Sequence, residues 1–532
     1  MKKGFQSKRL MALLMAAVMS VNSLPVTAFA AETNLIEQSQ TESVMESETA
    51  EETFAEEKEA ESITEESFIE ETAEEESALE ESDQEEEISL LEEDTKVDDG
   101  LIDSGTFGEN VTWTLDNEGV LTISGTGAMQ GRLRSSKSEY IVSVVIESGV
   151  TSISSCAFEG LKKLESVEVS DSVKSIGESA FQNCSSLVDI NIPNGVTKID
   201  NYVFKNCTSL VSIEMPDSVK SIGESAFFCC ESLTSVKISE NVTYIKDYAF
   251  YGCDSLKSVY IPGSITKIKE FVFSNCSSLE DVEIADGVPC IGDYMFYECE
   301  SLANVKIPDS VTSIGGCAFT HCSSLTKINI PNSVKRIGSG AFSQSSLITI
   351  KIPSNVTEIE GQLFEGCTNL ENVEIPNGVT YIYWRSFAGC TSLKIINIPA
   401  SVKSIGEAVF RGCSNLREIN LDEKNQSYCS KEGVLFDYGM TELIYCPSAN
   451  RENYTIPYGV CNILGYAFTD CGALNHVELP KGFMRIYERA FDGCSNLKEL
   501  NIPSSIETIG KYAFNGCSSL KNIVFEGFSP EF

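Results

Sequence analysis

Histidine and tryptophan are nearly missing from this chain, with two of each in 532 residues. His321 and His476 stand far apart, and neither has a serine or acid beside it outside the repeating pattern described below. The usual acid–base and nucleophilic groupings are therefore not assembled. The chain carries no phosphate loop, dinucleotide fingerprint or zinc-protease motif, and no paired C-x-x-C knuckles to hold a metal. Basic residues are scarce too: 39 Lys and Arg face 79 Asp and Glu, for a formal charge of −40. A polyanion would be repelled, which excludes a nucleic-acid partner. No apolar run beyond the first thirty residues reaches the roughly 18 needed for a bilayer span. These absences point away from an enzyme, a cofactor or a metal centre, and leave a binding or structural protein.

What is present is a strict period. Phe158, Phe181, Phe204, Phe227, Phe250, Phe273, Phe296, Phe319 and Phe342 stand 23 residues apart. The interval slips to 22 at Phe364, recovers at Phe387 and Phe410, and jumps 58 residues to Phe468, Phe491 and Phe514. Such self-similarity specifies a repeat solenoid, whose core grows one turn at a time. In Leu210–Ser232, Ile213 and Met215 are the inward residues of a short strand and Pro216 ends it. Val219 and Ile222 form a second inward pair, and Ala226-Phe227 opens a turn that inserts the ring between layers. Asn or Gly two residues after the phenylalanine (Asn183, Asn206, Gly252) reads as a left-handed cap on that turn. The fold class expected is an α/β solenoid with a parallel sheet on a concave side and short helical or 3-10 turns on a convex one. A rise of ~4.8 Å per strand makes it a curved rod roughly 70 Å long.

The rest of the chain divides around the repeats. Residues 1–30 read as a signal peptide: Lys2, Lys3, Lys8 and Arg9 precede the apolar Leu10–Val18, and cleavage falls between Ala30 and Ala31. Residues 31–99 read as an acidic disordered spacer; from Glu32 to Asp99, 29 acidic residues face only Lys58 and Lys96. Residues 100–140 supply a β-hairpin cap, with Val111, Trp113 and Leu115 alternating before an Asp116–Gly119 turn. Repeats fill 141–420 and 465–532, and 421–464 is an enlarged repeat carrying an inserted hairpin.

The unit Leu-x-x-Val-x-Ile-Pro-x-x-Val-x-x-Ile-Gly-x-x-Ala-Phe-x-x-Cys-x-x-Leu, nearly intact from Leu302 to Leu325, resembles the BspA-like leucine-rich-repeat family of bacterial surface proteins. The resemblance spans about residues 141–526. It implies a secreted or surface-attached, non-catalytic protein, adhesin-like, with an extracellular protein or glycan ligand. A structural envelope protein that self-associates or binds cell-wall polymer is the alternative.

Thirteen of the 20 cysteines occupy one repeat position, from Cys184 to Cys517. A position filled alike on every turn reads as a buried ladder in which cysteine is a small, soft filler. Cys429 and Cys446 flank the inserted hairpin and are the candidate disulfide. For ligand contacts the candidates are Tyr260, on the outward strand face, and the cluster Tyr381, Tyr383, Trp384 and Arg385, since aromatic and arginine side chains anchor interfaces.

Overall fold

The structure, a computed structural model, describes residues 100–449 and 451–526. The expected cleavage at Ala30 and Ala31 and the acidic segment 31–99 lie outside the described residues. Strands β1 (Leu101–Thr106), β2 (Val111–Asp116) and β3 (Val120–Gly125) form an antiparallel meander. β3 then pairs in parallel with Ser143–Ile146, the first strand of the repeats. Trp113 is buried, so its role here is packing.

Most repeats contribute a first strand of two to four residues and a two-residue second strand. Successive strands align residue for residue: Ser212, Ile213 and Glu214 face Ser235, Val236 and Lys237. Pairing is parallel throughout the repeats, but the strand wall is a series of short ladders rather than one continuous sheet. Where proline follows the strand, as at Pro216 and Pro308, it leaves no donor to extend the ladder.

The third wall corrects the expectation of helical or 3-10 turns. Among the described residues the one 3-10 helix is Ser138–Tyr140, ahead of the first repeat. The turns carry two left-handed residues each, such as Ser179 (φ 56°) and Asn183 (φ 62°), and a helix cannot run through them. Hydrogen bonding shows what replaces it. The N–H groups of Ala180, Gln182 and Cys184 close tight turns onto Gly177, Ser179 and Phe181. Those between them, on Ser179, Phe181 and Asn183, donate to the carbonyls of Asn201, Val203 and Lys205 in the next repeat. The turn wall is therefore a third inter-repeat ladder, knitted through alternate residues. The left-handed position after phenylalanine was signalled by Asn and Gly, and His321 takes it as well (φ 60°). The one before it was not, because Ser, Cys, Tyr and Phe fill it.

Inside, the phenylalanine rings stack. Centroids are 5.8 Å apart for Phe181 and Phe204 and 5.0 Å for Phe227 and Phe250. The stack holds at 5.9 Å across the shortened Phe342 repeat, whose missing residue comes out of the loop after Ser345. Beside it the cysteines do more than fill space. The Cys184 thiol donates to the Phe158 carbonyl of the preceding repeat at 3.1 Å, and Cys207 does the same to Phe181 at 3.2 Å. The arrangement recurs up to Cys413 and Phe387. All 20 cysteines are free thiols.

The insertion divides the core. Leu435 and Tyr445 pack with the repeats before it, whereas Val434, Phe436, Leu443 and Cys446 pack with those after it. Strand Val434–Asp437 lies between Tyr428–Lys431 and Glu442–Tyr445, pairing with both. Cys429 sits on the first of these outer strands and Cys446 just past the second. Two strand spacings of ~4.8 Å thus separate them, more than the ~7 Å Cα limit for a bridge.

Two outcomes test this packing. Phe250→Ala removes a fully buried ring from the middle of the stack and is expected to cost about 3–5 kcal/mol in urea denaturation. Burial also pushes the Cys367 thiol up to about 11 and those of Cys184 and Cys413 up to about 12. Unfolded thiols ionise near 8.5, so the stability these groups contribute is full below that pH and falls as pH rises towards 12. A urea midpoint that stays level from pH 7 to 11 would contradict the ladder.

Candidate binding surfaces

The strand wall turns its even positions inward and its odd ones to solvent, which places Tyr260 outside with 43% of its surface exposed. It stands in register with Glu283 and then Lys306 on the following strands. Lys306 Nζ lies 2.6 Å from Glu283, and Lys237 pairs with Glu214 in the same way. Tyr260, Asp281, Glu283, Asn304, Lys306 and Asn329 line an open groove of about 860 Å³. The groove ends where the strand wall loses its ladder, since Lys327–Asn329 forms no strand. Its chemistry is one aromatic face among carboxylates, amides and ammonium groups. Glu283 and Lys306 are paired with each other, and Asp281 accepts from the Asn304 amide.

Tyr381, Tyr383 and Trp384 are brought together on the surface just after the second strand Tyr381–Ile382. The two tyrosine rings are 6.0 Å apart, and the indole lies over Gly361 of the preceding repeat, where a Cβ would meet Nε1 at 2.8 Å. Arg385 joins this group as an ion-paired neighbour of the indole. It occupies a left-handed position (φ 53°), and its guanidinium, centred 5.9 Å from the Trp384 ring, is tied to Glu365. It braces the indole more than it offers a free cation. Tyr260 lies on the other strand row, over one hundred residues earlier, and the structure does not join it to this cluster.

A third surface escaped sequence reasoning. On the turn wall Tyr248, Phe271 and Tyr294 occupy successive left-handed positions and stack at 4.9 and 4.4 Å. Phe228 stacks on Tyr251 at 4.9 Å beside them. All are half-buried. The signal was aromatics two residues before and one after the core phenylalanine, in consecutive repeats. Acidic residues border the stack, and the Tyr202 hydroxyl donates to Glu224 at 2.7 Å. That hydrogen bond holds the Tyr202 phenol up to about 12. Glu224→Gln is expected to let Tyr202 titrate near the ordinary value of about 10, read by NMR of the labelled ring.

His321 packs edge-on to Tyr297 at 6.0 Å, and His476 lies on strand His476–Glu478. Among the described residues no group of three His, Cys, Asp or Glu is placed to hold a metal ion. No helix there is long and apolar enough to cross a membrane.

A family model of the BspA type leucine rich repeat region (6 copies) matches residues 136–257, 243–368, 337–432 and 441–529. Among solved structures, a leucine-rich repeat protein from Bacteroides ovatus is 28% identical, over 78% of this chain and 98% of that one, with a TM-score of 0.54. Another from Eubacterium ventriosum is 25% identical over 80% of this chain and 96% of that one, with a TM-score of 0.37. A leucine rich cell surface protein from Faecalibacterium prausnitzii is 23% identical over 80% of this chain and 96% of that one, at a TM-score of 0.25. Among curated proteins nothing matches the chain.

Proposed function

The chain belongs to the BspA-type leucine-rich-repeat family of bacterial proteins, and from that premise we propose that it is an extracellular, adhesin-like binding protein. The observation that carries the reading is the groove around Tyr260. An exposed phenol stands there among charged and amide side chains on an in-register strand wall. Display on such a wall lowers the ordering cost of binding, and an aromatic face with polar neighbours suits a sugar ring or a polar protein loop. The Tyr381–Trp384 cluster gives a second anchor of the kind that dominates interfaces. Secretion, placement at the cell surface and the absence of catalysis belong to this same proposal.

The alternative is an envelope protein that associates with itself or with wall polymer. Purified full chain is to be tested against immobilised matrix proteins, host glycans, isolated cell wall and itself. The adhesin reading expects binding to a matrix protein or glycan that weakens about tenfold or more when Tyr260 and Trp384 are both changed to alanine. Binding confined to wall or to the chain itself would reverse the order of the two readings.

A further inference from the structure

The insertion opens a seam in the turn wall, and its hydrogen bonds can be accounted for group by group. In every repeat from Phe158 to Phe387, three N–H groups of the turn donate forward to the next repeat. The last complete set runs from Arg385, Phe387 and Gly389 to the carbonyls of Glu407, Val409 and Arg411. Ala408, Phe410 and Gly412 should continue it, but the next turn, Tyr466–Asp470, is separated from them by the inserted strands.

Substitutes answer most of the exposed edge. The Tyr428 hydroxyl accepts from Ile405 N–H at 3.0 Å, and the Gly433 carbonyl accepts from Ile419 N–H at 3.1 Å. The Asp470 carboxylate lies close to the Gly412 N–H. The Tyr445 hydroxyl donates to the Phe410 carbonyl at 2.7 Å, in the place a ladder cysteine would fill. Two donors remain. Among the described residues the N–H groups of Ala408 and Phe410 have no acceptor, and the carbonyl of Gly465 across the seam has no donor. The Phe410 side chain is 1% exposed, so its N–H starts from a buried residue. An orphaned buried N–H carries the full cost of its lost hydration.

Between these groups lies a cleft of about 170 Å³, walled by Phe410, Leu435, Ile444, Tyr445, Tyr466 and Tyr487. We infer that this cleft binds an extended peptide segment of a partner protein, with one apolar side chain in the cavity and its backbone completing the broken ladder. Donors on alternate residues match carbonyls on alternate residues of an extended chain, as in strand addition to a sheet edge. The free Gly465 carbonyl calls for an N–H as well, which an amide supplies and a carboxylate does not. Glu407 at the rim disfavours an anionic ligand. The site is separate from the Tyr260 groove, so either can fail without the other.

The probe is the blocked tripeptide acetyl-Val-Leu-Val-N-methylamide, added at millimolar concentration to the full chain, with hydrogen exchange read over residues 405–413. Exchange is expected to slow about tenfold at Ala408 and Phe410, and less with the Ser-Ser-Ser analogue or when an ester replaces the central amide. Ala408→Tyr should abolish the effect by standing a ring in the cleft mouth, and Tyr202, Tyr248 and Tyr294 already occupy this repeat position. Ile444→Trp fills the cavity from the other side and guards against a folding defect in the first variant. Already slow exchange without peptide, no slowing with it, or slowing that survives both substitutions would overturn the inference.

Discussion

The structure depends on one constraint: within each run of repeats, a turn of the third wall hands its alternate N–H groups to the turn that follows. Two left-handed residues per repeat make this possible, because they aim the donors along the stack axis and not back into a helix. Such conformations cost free energy at Ser, Tyr, Phe and Cys positions. They persist because the phenylalanine stack and the thiol hydrogen bonds hold the turn in place from within. Remove the neighbour and the turn has neither its acceptors nor its packing.

Much of this was legible in the chain. The period gave the solenoid, proline marked the end of many of the first strands, and Asn or Gly after phenylalanine gave one of the two left-handed positions; the expected single parallel sheet is instead a set of short ladders. The other left-handed position was hidden, since residues such as Tyr248 and Phe271 carry no propensity for it and are held there by the stack. That hidden geometry also explains the wrong expectation of helical turns. A pattern such as Ala-Phe-x-x-Cys has helical spacing, yet the backbone spends its donors between repeats. Cysteine was legible as a buried rung but not as a donor, because nothing in a sequence shows which carbonyl lies above a thiol.

The candidate surfaces followed the same divide. Tyr260 and Trp384 were readable, because outward strand positions and local aromatic clusters are visible in one repeat. The ion pair of Arg385 was not readable, since its partner Glu365 is twenty residues earlier and becomes a neighbour only when the turns stack. The Tyr248–Phe271–Tyr294 stack was invisible for the same reason, being a column across repeats.

The forward direction of the turn-wall bonds gives the molecule a sense as well as an axis. A repeat can be received by the one before it, whose open donors are already waiting, but it cannot close its own until the next arrives. A chain delivered from its N-terminus, as through a translocation pore, would therefore always carry its open edge at the growing end, next to the residues about to emerge. Folding would advance in one direction, like a zip fed from the pore, with the three-stranded meander of Leu101–Gly125 as its fixed stop.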